Sequence, residues 1–318
     1  MGMTGRVAIM AIEDVILRKE VSDFLEKNKW QPVEVFTHGA TSEILIVEKS
    51  NEKYALKLAR EKAKEVVLRE HRLLTYLNSI EPELNVPGVS EWLVDIDGFL
   101  MEFLISPTPG VKQSEYWTVE LARALREIHN VRLPEIDGIP DDRPDIAMTV
   151  SRRLADRCGI IHNGEDYWRR LPGEYIPALE KVRSHYDTYF ALIPDVEKVL
   201  ANTQPALTHG DLMGDNIMTR YDGTPVFIDW GEARISSGLL DLACLLTFPG
   251  WSEETIDCFL VEYYGPEALK KALPGVQVLR KFYRYLTCVS SLWWLMQPEE
   301  ERLDTVGRVF FEKVLATL

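Results

Sequence analysis

Nowhere does the 318-residue chain approach the run of ~20 apolar residues that a membrane-spanning helix needs, so no membrane embedding is expected. The stretch Val7 to Ile12 is too short for a signal h-region and runs straight into Glu13 and Asp14, which points to a cytoplasmic protein. Arg6 stands where a myristoylation signal calls for Ser or Thr, so no lipid anchor is expected either. Cysteine is scarce. Cys158, Cys244, Cys258 and Cys288 stand singly, without C-x-x-C or Cys/His ligand spacing, and indicate neither a zinc site nor a disulfide framework. Positive charge is short as well: 36 Lys and Arg face 50 Asp and Glu, a formal charge of −14. That balance argues against a phosphate-tracking surface and so against a nucleic-acid partner. It is compatible with a cationic small ligand, and equally with simple solubility. Repeats and low-complexity tracts are missing, although "QPEEERLD" forms a local acidic cluster near the end.

What is present suffices for two units around a shared cleft. Residues 13–28 carry Val15, Ile16, Val21, Phe24 and Leu25 at helical spacing. "VEVFTHGATSEILIVEKSNEKYALKLA" then reads as three short antiparallel strands, turning at Gly39 and at Ser50-Asn51. A second helix is expected over about 61–78, and "WLVDIDGFLMEFL" reads as a hairpin turning at Asp97-Gly98. After the connector "ISPTPG" the periodicity is predominantly helical: Tyr116 to Asn130, Pro177 to Leu192, Glu253 to Tyr264, Pro274 to Met296 and Leu303 to Leu315. The expected fold class is α+β, with a small antiparallel-sheet unit over 1–104 and a larger, mainly helical unit over 105–318. Their junction is where a ligand cleft forms.

The stretch "LTHGDLMGDNIM", Leu207 to Met218, gathers a His, two Asp and an Asn between apolar flanks, and unpartnered burial of such groups costs roughly 1–3 kcal/mol each. After it, "TRYDGTPVFIDWG" contains the hairpin signal Asp222-Gly223. With those two residues as the turn, Met218 faces Phe227 and Asn216 lies directly opposite Asp229, Cβ atoms about 4.5–5.5 Å apart. An amide and a carboxylate oxygen at that separation suit magnesium bound jointly to substrate phosphates. Asp211, at the start of the same loop, is free to orient or deprotonate an attacking hydroxyl. Any one of the three alone reads as a turn cap, but their combination around one hairpin favours the site.

A phosphate site also needs cations, and "KYALKLA" supplies Lys57 on the strand face opposite Leu56 and Leu58. In the next helix Val66, Glu70, Leu73, Leu74 and Leu77 share one face, so Glu70 requires a cationic partner. Lys57 is the nearest candidate by topology, with Arg69 and Arg72 as alternatives.

"HGDLMGDN" followed by "IDWGEA", with "YALKLA" and "LREHRLLTYL", resembles the aminoglycoside phosphotransferase family, small-molecule kinases with a protein-kinase-like, two-lobed fold. The resemblance runs from about Phe36 to Ala243. It implies ATP or GTP and Mg2+ as cofactors, Asp211 as base, Asn216 and Asp229 as metal ligands, and Lys57, paired to Glu70, on the α/β-phosphates. It makes "THGATSE" the nucleotide-covering loop and "LMEFL" the hinge, where backbone groups around Glu102 and Leu104 bond the purine beside Met101. Met213-Gly214-Asp215 replaces the family's common His-Pro-Gly, and Asp241 lacks the usual Gly-Asp-Pro before it; Asp241 and His209 read as braces of the catalytic loop. The other five histidines show no ligand spacing and read as ordinary.

The function so implied is magnesium-dependent transfer of a nucleotide γ-phosphoryl to a small-molecule hydroxyl, with an aminoglycoside-type antibiotic as the leading acceptor. Choline-like, sugar, amino-acid and macrolide hydroxyls are the rivals, and a pseudokinase without turnover is the alternative of another class. Tyr285, Trp293 and Trp294 read either as sugar-stacking residues or as core, and Glu299 to Glu301 either as partners for ammonium groups or as a solvated turn.

Overall fold

The computed structural model of the chain describes residues 18–36, 41–107, 114–163, 168–247, 251–296 and 305–318. The expected helix start at Glu13, the Gly39 turn with most of its loop, and the acidic cluster at 297–304 lie outside these.

Ser50 and Asn51, both at positive φ, close a two-residue turn between β2 (Ser42–Lys49) and β3 (Glu52–Ala59), a turn whose twist matches that of the flanking strands. With β1 (Gln31–Phe36) and β4 (Gly98–Glu102) they form an antiparallel sheet in the order β1-β2-β3-β4. Pro32, which has no N–H to donate, sits on the edge strand beside a register shift. The sheet is covered on both faces. Helix α1 (Lys19–Asn28) seals one through Val21 and Leu25, which pack with Val35, Leu45, Leu56 and Leu58. Helix α2 (Lys64–Ile80) covers the other through Val67, Leu74 and Leu77.

Beyond the connector, α3 (Glu115–Asn130) begins at Ser114, whose hydroxyl accepts the Trp117 N–H as an N-cap. Its Leu121, Leu125 and Ile128 join the α2 side of the sheet in a single core, which ties the two units together. A second core belongs to the helical unit alone: α4 (Ile146–Asn163), α5 (Ile176–Ser184), α6 (Tyr186–Phe190), α7 (Ile193–Leu200), α8 (Leu239–Leu245), α10 (Pro266–Leu295) and α11 (Thr305–Ala316) contribute to it, and α9 (Glu253–Tyr264) packs on α3. Helix α10 starts eight residues before the expected Pro274 and runs through it; Gly275 beside it lets the helix approach Val199 of α7 closely. Among the described residues no helix is long and apolar enough to cross a membrane.

Two small ribbons carry the polar motif. β5 (Pro205–Thr208) pairs with β8 (Arg234–Ser237), and between them β6 (Ile217–Thr219) pairs with β7 (Pro225–Phe227). The β6-β7 register differs by one residue from the expected one: Met218 faces Val226, and Ile217 faces Phe227. Arg220 and Thr224 close a three-residue loop in which Gly223, at φ +90°, is the last member. Asn216 therefore pairs with Ile228, whose N–H it accepts at 3.0 Å, and stands diagonal to Asp229 rather than opposite it.

Candidate active site

Strand alternation sends Leu56 and Leu58 towards α1 and leaves Lys57 on the α2 face with Ala55 and Ala59. Its ammonium meets Glu70 there, at 2.7 Å from Oε2, and Asp229, at 2.8 Å from Oδ1. Lys57 and Glu70 are 3% and 1% exposed, so each depends on the other for its charge. Burial works against the Lys57 ammonium, but the two carboxylates outweigh it and raise its pKa. Arg69 binds the carbonyls of Gly138 and Gly231 instead, which leaves Lys57 as the partner of Glu70. The Trp230 amide also donates to Glu70 Oε1, at 3.2 Å.

Asp229 adopts the left-handed conformation, φ 63° and ψ 64°, which an Asp tolerates better than most residues and which marks a locally demanding turn. Its carboxylate is 48% exposed. The adjacent Lys57 charge holds its pKa below the usual carboxylate range, against the opposing effect of burial.

The loop from His209 to Asn216 is held from behind. Asp241, the third residue of α8 and 1% exposed, accepts the His209 N–H at 2.7 Å and the Gly210 N–H at 3.0 Å, one on each oxygen. Burial would raise the Asp241 pKa, yet the His129 bond and the His209 amide leave it lowered. His209 donates Nε2–H to the Ile228 carbonyl at 2.7 Å, while Nδ1 accepts from the Asp211 amide at 3.3 Å. Both residues brace the loop, as the sequence led one to expect. Gly210 cannot be replaced freely: at φ +84°, an added Cβ would lie 2.2 Å from the Glu232 carbonyl oxygen.

Asn216 turns its Nδ2 onto the Asp211 carbonyl at 2.8 Å and onto Asp211 Oδ2 at 3.2 Å, which leaves Oδ1 to face elsewhere. Burial raises the Asp211 pKa, with Asp229 adding to the rise. The pKa values of the two aspartates thus move apart, Asp211 upward and Asp229 downward, as groups given different tasks in one site do.

At the expected hinge, Met101 buries its side chain in the shared core opposite Ala55. Glu102 is less free than the sequence suggests: its N–H donates to the Gly88 carbonyl, and its carboxylate pairs with Arg220 at 2.8 Å. Among the described residues the backbone N–H and C=O of Leu104 carry no hydrogen bond. Ile105 next to it pairs with Thr219 through two backbone bonds.

One further residue belongs to this assembly. His129, read from sequence as ordinary, holds Asp241 Oδ2 at 3.1 Å with Nε2 and meets the Tyr263 hydroxyl at 2.6 Å with Nδ1. Its partner lies 112 positions away, so no local spacing announces the contact. Tyr285 is fully buried and stacked on Tyr189, which removes it from the acceptor-stacking candidates. Trp293 is half-buried against the second core, while the Trp294 side chain and Glu299 to Glu301 lie outside the described residues.

The fold recurs in solved structures. An ethanolamine kinase from Plasmodium vivax superposes with a TM-score of 0.63 at 16% identity, over 94% of this chain and 84% of that one. The aminoglycoside phosphotransferase APH(2'')-Ib, bound to ADP, gives 0.61 at 18% identity, over 95% and 98%. A choline kinase from Streptococcus pneumoniae gives 0.59 at 14% identity, over 94% and 99%. A search of curated proteins by sequence found no match. The family model described as the phosphotransferase enzyme family, APH, matches residues 32–275, from β1 into α10, and the chain belongs to that family of kinase-like small-molecule phosphotransferases.

Proposed function

We propose that this protein transfers the γ-phosphoryl group of ATP or GTP to a hydroxyl of a small molecule in a magnesium-dependent reaction, with the nucleotide-binding unit ending at 104 and the catalytic, acceptor-binding unit beginning at 105. The observation that carries this is Lys57, drawn between Glu70 and Asp229 across 172 positions of chain, beside a loop that presents Asp211 and Asn216.

Lys57 directs its charge at the α/β-phosphates while Glu70 keeps it aimed. The Leu104 amide and carbonyl, with Met101 and Glu102 alongside, meet the purine. The metal donors fit the expected ion: among the described residues Asn216 keeps an amide oxygen in reserve, and Asp229 keeps Oδ2 free while Oδ1 binds Lys57. Among the described residues no cluster of three or more His, Cys, Asp or Glu makes a closed cage. Magnesium does not need one, because it takes one or two protein ligands and completes its shell with phosphate and water. When bound, it would neutralise charge on the transferred group.

Asp211 accepts the proton of the attacking hydroxyl, and the Asn216 amide fixes the carboxylate in line for that task. A pseudokinase would have no use for this full set. Ethanolamine, choline and aminoglycosides, the compounds named for the solved neighbours, all present an alcohol oxygen, which is what Asp211 requires.

The test is turnover by the purified protein with Mg-ATP and Mg-GTP across aminoglycosides, macrolides, sugars, amino alcohols and hydroxy acids. Acceptor-dependent release of ADP or GDP is expected. Failure to bind either nucleotide by titration calorimetry in the presence of magnesium would overturn the reading.

A further inference from the structure

Beside the Asp211 loop lies a small recess of about 30 Å³, room for one or two oxygen atoms of a ligand group whose remainder stays outside. Gly210 and Thr208 form its inner wall, and three arginines close on it: Arg153 and Arg157 from α4, and Arg234 from β8. The first two are four residues apart, so they share one helix face.

The charges there are not paired one to one. Asp142 is the nearest counter-ion; it is shared between Arg153, at 3.2 Å, and Arg234, at 3.9 Å. Asp241 also borders the recess, but both its oxygens are occupied by the His209 and Gly210 amides and by His129. Glu232 stands exposed at the rim with no ion pair among the described residues. Three carboxylates thus stand near the three guanidiniums, but among the described residues none of them binds Arg157. Arg157, exposed at the mouth of the recess, makes no ion pair or hydrogen bond among the described residues. The crowding registers on Arg234, whose pKa is lowered by burial and by neighbouring Arg153.

We propose that this recess is the acceptor's anchoring subsite and that it takes an anionic group, a carboxylate or a phosphate, on Arg157 and Arg234, so that the physiological acceptor is an acidic alcohol. Guanidinium is the side chain best matched to either anion, through two parallel N–H bonds. The chain's overall acidity points the other way, towards a cationic ligand, but an acceptor is read by the groups within contact distance and not by the sum over the surface. Gly210 lines the recess and immediately precedes Asp211 in sequence, so the proposed anchor adjoins the segment that carries the base.

The inference rests on the kinase reading of Asp211, and its test separates the two. Glycerate and glycerol 3-phosphate are compared as acceptors with glycerol, ethanolamine and an amino sugar, in wild type and in Arg157→Gln. The acidic alcohols are expected to be turned over with the highest kcat/KM. In Arg157→Gln their KM should rise about 10- to 100-fold, as for the loss of one charged hydrogen bond, with kcat and nucleotide affinity little changed. Turnover confined to the ammonium-bearing alcohols, or an acidic-alcohol KM indifferent to Arg157→Gln, overturns the proposal.

A second measurement needs no turnover: binding of glycerate and inorganic phosphate, without nucleotide, by calorimetry in wild type, Arg157→Gln and Arg157→Glu. Binding that weakens in that order supports the subsite even if the protein transfers nothing. Absence of anion binding by wild type sinks the subsite even if the kinase reading stands.

Discussion

His129 Nε2 lies 3.1 Å from the Asp241 carboxylate, and that carboxylate in turn holds the backbone amides of His209 and Gly210. The position of the Asp211 loop is thus set by a residue on α3 that touches none of the reacting groups. Asp241→Asn places an NH2 against one of the two amides it must accept. A stability loss of about 1–3 kcal/mol is expected, with kcat reduced while nucleotide affinity holds; denaturation and a KM-against-kcat comparison read both.

The same pair predicts a pH dependence. The folded Asp241 pKa is lowered, so its contribution to stability is complete above the unfolded carboxylate value of about 3.9 and is lost as pH falls through the lower, folded value. Wild type should therefore lose stability on acidification below about pH 4 more steeply than Asp241→Asn does. Identical acid limbs in the two proteins would show that Asp241 is not responsible.

Lys57→Met leaves Glu70 buried without its cation, and a loss of about 3–5 kcal/mol is expected, together with activity. Adding Glu70→Leu should restore much of the stability and none of the turnover. Thermal unfolding of the single and double variants settles the matter; a double variant less stable than the single one contradicts it.

Asp229→Ala removes the exposed carboxylate and leaves the Lys57–Glu70 pair in place. Mg-nucleotide binding should become undetectable by calorimetry while the fold persists. Asp211→Asn is the complement: nucleotide affinity is retained, but kcat falls by about two to four orders of magnitude. Activity within a few-fold of wild type would remove Asp211 from the role of base.

Gly210→Ala combines a left-handed backbone with a Cβ 2.2 Å from the Glu232 carbonyl oxygen. The conformational cost alone is about 1–2 kcal/mol, and relief of the contact must displace the loop. Turnover should collapse with only partial loss of stability, which circular dichroism and an activity assay separate.

Local chemistry made most of the site legible. Lys57 is legible because strand alternation leaves one face for it, and Glu70 because helical spacing puts a carboxylate among leucines. The Asp222-Gly223 turn is legible too, but its register is not, because sequence alone does not say whether glycine is the second member of a two-residue loop or the third of three. Helix α4 carries a usable signal in Ile146, Val150, Leu154 and Cys158, spaced every four residues, although charged residues between them obscure it. His129 left none: a histidine in the last turn of a helix looks alike whether it faces solvent or an aspartate brought in from far along the chain.

Neighbours on α2, Arg69 and Glu70 grip the same strip of chain at two points, Arg69 at the Gly231 carbonyl and Glu70 at the Trp230 amide, while Glu70 also holds Lys57. A slide of that helix by an ångström strains all three bonds at once. The placement of Lys57 and that of the chain just after Asp229 are therefore one coordinate in this protein and not two, since both are referred to the same two neighbouring residues of α2.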